Sequence, residues 1–98
     1  MTKDDLYRIE RRKTKLKLIP AIHPEDLPLG IEIHVDSIWV VTAFADTLKG
    51  GVLNIVEPVV SFVDGRPSAT DHLFTHALTD EEIMKWFEIV EEGEANDR

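Results

Sequence analysis

Residues 31–63 constrain this chain more than any other stretch: they read as two strands folded back on each other at Gly50-Gly51. Ile31, Ile33 and Val35 alternate with Glu32, His34 and Asp36, the period-2 pattern of a half-buried strand. Ser37 to Ala45 continues as a denser apolar strand, with Ser37 marking a bulge where the alternation changes phase. Asp46 to Gly51 is the reversal, because its two glycines accept the positive φ angles of a tight turn. Val52 to Val63 is rich in β-branched residues and forms the return strand. Pro58 lacks an amide donor, so this strand either lies at a sheet edge or breaks there. Asp64-Gly65 signals a second hairpin.

The flanking segments supply the remaining elements. Thr2 and Asp5 stand in capping-box positions for a short N-terminal helix with Leu6 and Ile9 on one face. Lys15 to Leu18 alternates as a strand, leucines inward and lysines outward. Pro20, Pro24 and Pro28 then make an irregular connection that ends at Gly30. Ser68 to Leu78 reads as strand through Leu73, Thr75 and Ala77, with a single helical turn capped by Thr70 or Asp71 as the alternative. Thr79 and Glu82 form a second capping box, and acidic residues follow it where the helix dipole favours them. Ile83, Trp86, Phe87 and Val90 fall on one stripe, so the spacing predicts a C-terminal amphipathic helix over 80–92, stopped by Gly93. Burial of Trp86 and Phe87 against a sheet is worth about 1.5–3 kcal/mol each.

The expected fold is therefore α+β in a single domain, residues 1–98. A small antiparallel sheet of about three to five strands packs on the C-terminal helix, with its other face partly solvated. The chain has no cysteine, which excludes disulfides, thiolate metal sites and thiol nucleophiles. No apolar run approaches the roughly 18 residues of a membrane span. No basic-then-apolar leader opens the sequence, so the expected location is cytoplasmic, with no membrane association.

Chemistry-bearing motifs are sparse. His72 and His76 are four apart, and His34 and Asp36 share a strand face. Together these four make a chemically sensible borderline-metal site, although no HExxH motif accompanies them. There is no phosphate-binding glycine loop and no Gly-x-Ser-x-Gly elbow. No catalytic residue and no cofactor are expected, and an enzyme is the lesser reading.

Charge is uneven. The net charge is −8, yet residues 1–17 hold seven basic and three acidic side chains, leaving −12 on the rest. Arg8, Arg11, Arg12 and Lys13 head the basic segment, which could grip phosphates. The acidic body repels nucleic acid, so this reading ranks below pairing of the segment with acidic surface of its own or a neighbouring copy. Glu91, Glu92 and Glu94 sit at or beyond the end of the predicted helix, where the dipole disfavours them.

The apolar residues of 38–41 and 59–60 face both sides of the sheet, and one helix covers only one side. A partner protein, a second copy or the N-terminal helix must cover the other. The sequence thus points to a small acidic protein-interaction module. It would bind another protein or itself, for instance as a regulator or inhibitor of a basic nucleic-acid-handling partner. The metal site or a small enzyme, and nucleic-acid binding through residues 1–17, are the alternatives.

Overall fold

The computed structural model describes residues 1–20, 22–27, 31, 34–64, 66–70 and 74–90. Its elements, in chain order, are α1 (Lys3–Tyr7), β1 (Leu16–Leu18), β2 (Trp39–Asp46), β3 (Val52–Val63), β4 (Arg66–Thr70), β5 (His76–Thr79), α2 (Asp80–Trp86) and β6 (Phe87–Ile89). A 3-10 turn at Pro24–Asp26 lies in the proline-rich connection. The α+β expectation holds. Every strand pair is antiparallel, in the order β4-β3-β2-β1-β6, with β5 also paired to β3.

Both helix starts follow from their capping boxes. The Thr2 hydroxyl accepts from the Asp5 amide at 3.2 Å, and the Asp5 carboxylate accepts from the Thr2 amide at 3.1 Å. The Thr2 backbone and hydroxyl bonds hold the Asp5 carboxyl below its ordinary range, outweighing partial desolvation, and Arg8 adds to the effect. This capping contribution is present above the ordinary carboxylate range and is lost as pH falls through the lowered value. At the second box, the Thr79 hydroxyl accepts from the Glu82 amide at 3.2 Å, and Glu82 accepts from the Thr79 amide at 2.9 Å. Thr79→Ala is expected to cost about 1 kcal/mol in urea denaturation, with most of it restored by Thr79→Ser.

The predicted helix over 80–92 is shorter than its apolar stripe suggests. α2 stops at Trp86, and Phe87 is extended at φ −120°, ψ 156°. Phe87–Ile89 pairs instead with β1, in the register Leu18↔Phe87, Lys17↔Glu88 and Leu16↔Ile89. The Ile19 amide donates to the Trp86 carbonyl and the Val90 amide to the Lys15 carbonyl, both at 2.9 Å, closing the ladder at its two ends. β1 needed a second neighbour, and a seven-residue helix followed by a strand supplies it.

The expected strand over 31–36 is also corrected. Ile31 and residues 34–36 are turns, with the His34 amide donating to the Ile31 carbonyl and the Ser37 amide to the His34 carbonyl. A strand would bury Ile31 and Val35 together, yet Ile31 is buried and Val35 exposed. β2 already has β1 and β3 as neighbours, so the sheet offers this segment no edge beside it. The bulge lies between Val41 and Ala43 rather than at Ser37.

Pro58 neither ends β3 nor confines it to an edge. It sits within the β2 pairing, opposite Trp39. Residues 53–56 pair with β5 and residues 59–63 with β4, so Pro58 falls between the two stretches. The Val59 amide donates to the Ile38 carbonyl at 2.7 Å. The amide direction at position 58 therefore points away from β2, toward the side where β3 changes neighbours, and the missing donor costs no ladder bond. The strand lean for 68–78 holds at both ends, through β4 and β5; residues 71–73 lie outside the described residues.

The core lies on one face of the sheet. Leu16, Leu18, Trp39, Val41, Val56 and Phe87 come from strands, with Leu78 from β5, Leu6 from α1, and Ile83 and Trp86 from α2. The buried Asn54 side chain donates to the Leu78 carbonyl at 3.2 Å and to the Asp80 carboxylate at 2.8 Å, tying β3 to the start of α2. Among the described residues, no helix is long and apolar enough to cross a membrane.

Candidate interaction surface

β3 is buried in its middle and exposed at both ends. The change is sharpest past Pro58. Val60 is 61 % exposed, Phe62 42 % and Val63 59 %. These residues belong to the β3–β4 hairpin, beyond the last β2–β3 register pair at Pro58. Its turn is set by Asp64 at φ +53°, a left-handed conformation that Asp tolerates better than most side chains. Two register shifts, between Val59 and Ser61 and between Ser61 and Phe62, bend the ladder there. A second exposed apolar group, Phe44, Leu48 and Val52, sits at the β2–β3 turn, where Gly50 has φ +86°.

Two cations stand with the β3–β4 hairpin. The Lys15 ammonium, from the residue just before β1, lies 5.1 Å from the centroid of the Phe62 ring, a cation–π contact. Arg66 is directly opposite Val63 and exposed. Neither has an ion pair among the described residues.

The outer sheet face is less solvated than expected. Val40 is fully buried there, and its register partner Glu57 is only 5 % exposed. The Thr75 hydroxyl donates to the Glu57 carboxylate at 2.9 Å, anchoring the β4–β5 connection to β3. Sequence reasoning missed this buried acid. Its signal was a lone charge within the run Ile55-Val56-Glu57-Pro58-Val59.

The basic segment meets acidic groups of its own chain. Arg8 pairs with Asp5 at 3.1 Å, Lys13 with Glu10 at 3.8 Å and Lys17 with Glu88 at 3.5 Å. Such exposed pairs contribute at most about 1 kcal/mol each. Arg11 and Arg12 are exposed, with no ion pair among the described residues. Arg12 is left-handed at φ +62°, and its amide donates to the Val41 carbonyl at 2.8 Å, which turns the chain into β1. Glu91, Glu92 and Glu94 lie outside the described residues.

Two of the four histidines, His34 and His76, pack around Trp39. His34 packs edge-on to Trp39 at 6.1 Å and to Phe74 at 4.4 Å, and His76 lies 6.4 Å from the Trp39 ring. His34 Nδ1 is 3.4 Å from the Ser37 hydroxyl, while its buried Nε2 has no hydrogen-bond partner among the described residues. Asp36 is exposed in the turn, and His72 lies outside the described residues. Among the described residues, no three His, Cys, Asp or Glu side chains are placed to hold one ion.

Comparison with known protein families, with characterised proteins and with solved structures finds no match to this chain.

Proposed function

We propose that this chain is a non-catalytic protein-interaction module whose contact surface is the β3–β4 hairpin. The observation that carries the reading is the exposure of Val60, Phe62 and Val63 on a strand whose preceding residues 56–58 are buried. Exposed apolar side chains of this kind, at the end of a hairpin, are what a partner's surface removes from water. Burying a single valine or phenylalanine side chain at such a contact is worth about 1.5–3 kcal/mol before the costs of association.

The test is a pull-down with tagged full-length protein, comparing the wild type with Val60→Ser/Val63→Ser. The double variant should lose the dominant stoichiometric partner while its thermal melt stays close to wild type, since both side chains are more than half exposed. Unchanged capture would remove the hairpin from the reading. Concentration-dependent sedimentation of the wild type alone, abolished in the variant, would make the partner a second copy.

A metal site is the second reading, favoured by the buried, unpartnered His34 Nε2 beside the Trp39 ring that His76 also approaches. It uses His34, Asp36, His72 and His76. It predicts stoichiometric zinc in purified protein and a melting temperature that rises with added zinc. Neither result appearing would end it.

A further inference from the structure

We infer that the β2–β3 turn end is a second contact surface, and that it receives a segment of another protein that is both apolar and basic. It lies at the end of β3 opposite the β3–β4 hairpin, and it stands apart from the reading of that hairpin. The core side of the sheet continues past the core itself. The register sets Leu78, Asn54 and Phe44 in one row across β5, β3 and β2. Side chains of paired residues share a face, so Phe44 stands on the core side with Leu78. Leu78 is 2 % exposed and Asn54 3 %, yet Phe44 is 48 % exposed. In the next row on the same face, Val52 lies opposite Asp46 and is 41 % exposed. Phe44 and Val52 are diagonal neighbours across the strand pair, close enough for one incoming side chain to touch both.

Two carboxylates border this pair. Asp46 is exposed and directly across from Val52. The Asp80 carboxylate is held 2.8 Å from the Asn54 side-chain nitrogen, beside the row that Phe44 ends. Among the described residues no cation, Lys49 of the same turn included, pairs with either. They share the sign of residues 18–98, which carry −12, so the local and the long-range field both favour a cation. Nucleic acid and anionic lipid are repelled by the same charges. A second copy fits less well. Its basic segment keeps Met1, Leu6 and Ile9 in its own core, and Arg8, Lys13 and Lys17 in its own ion pairs. Of the large apolar side chains there, only Tyr7 is exposed. A partner segment that carries leucine or valine among lysines or arginines satisfies both the apolar pair and its acidic border.

The probe is a short labelled peptide of leucine and lysine in equal number, followed by fluorescence anisotropy against the full chain. Leucine/glutamate and serine/lysine peptides are the controls. The leucine/lysine peptide should bind about tenfold tighter than either control and weaken with salt. Asp46→Lys should lower that affinity about tenfold. The same charge change at Asp36, exposed in the turn before β2, should leave it within about twofold. Phe44→Ser should also lower it about tenfold, with the salt dependence kept. Thermal melts check both variants, and each is decisive without the other. Val60→Ser/Val63→Ser should bind the peptide as wild type does, which separates this surface from the β3–β4 hairpin. Equal binding of the three peptides, no binding, or binding unchanged by both Asp46→Lys and Phe44→Ser would overturn the inference. Loss of binding in the Val60/Val63 variant would overturn it too, by moving the basic segment to the hairpin. Self-association of the chain in sedimentation, abolished by Asp46→Lys, would overturn the choice of another protein and give the surface to a second copy.

Discussion

Trp39→Ala is expected to lower stability by about 3–5 kcal/mol, the usual cost of emptying a buried aromatic site. Trp39 is fully buried and stands between Leu16 of β1 and Pro58 of β3. Its ring meets Phe87 at 5.8 Å as well as both histidines, and its indole N–H donates to the His34 carbonyl at 3.3 Å. One substitution therefore removes core volume, the seam between three strands, and the anchor of the turn at residues 34–37. In a domain with a total of about 5–15 kcal/mol, most of the margin goes. Trp86→Ala should cost less. Trp86 is 8 % exposed, and its buried indole N–H has no hydrogen-bond partner among the described residues. Truncation there removes a buried donor along with the ring, and Trp86→Phe should stay within about 1 kcal/mol of wild type. Urea denaturation ranks the three variants. Equal losses for the two alanine variants would mean that Trp39 is not the centre of the core.

Local signals carried much of the fold. The Thr2/Asp5 and Thr79/Glu82 boxes are complete within four residues, so both helix starts could be read from sequence. The Lys15–Leu18 alternation and the Gly50-Gly51 reversal were equally self-contained. What could not be read depends on which sheet edges are open. Ile31 to Asp36 has strand alternation, but β2 is flanked on both sides without it, so Ile31 and residues 34–36 are turns, with Ile31 buried and Val35 exposed. Pro58 suggested an edge or a break. A long strand that changes neighbours at that residue needs the β4–β5 connection, which no local pattern announces. At the candidate surface, the excess of apolar residues was legible, and Val59-Val60 were among those noted. Their location on the β3–β4 hairpin, with Lys15 over Phe62, required the tertiary fold. Glu57 stayed hidden because a single acid in a strand normally faces water.

The C-terminal element shows the same competition most sharply, and it gives the second large prediction. Ile83, Trp86, Phe87 and Val90 satisfy a helical stripe, but Phe87 and Ile89 also satisfy strand alternation around Glu88. The open edge of β1 decides between them. Phe87→Ala should cost about 3–5 kcal/mol, because the ring is fully buried against Trp39 and pairs with Leu18. Hydrogen exchange distinguishes the strand from a continuing helix without any mutation. The Val90 amide is bonded to the Lys15 carbonyl, and the Trp86 carbonyl accepts from Ile19, so by alternation the Glu88 amide also faces β1 and the Ile89 amide faces the open edge. Glu88 and Val90 should therefore exchange slowly and Ile89 fast, whereas a helix over 80–92 would protect all three. Proline makes the same distinction energetically. Glu88→Pro removes a ladder donor and should cost about 3 kcal/mol. Ile89→Pro removes none, and should cost only the partial burial of its side chain, about 1–2 kcal/mol. Equal damage at both positions would return the segment to a helix and leave β1 without its outer neighbour.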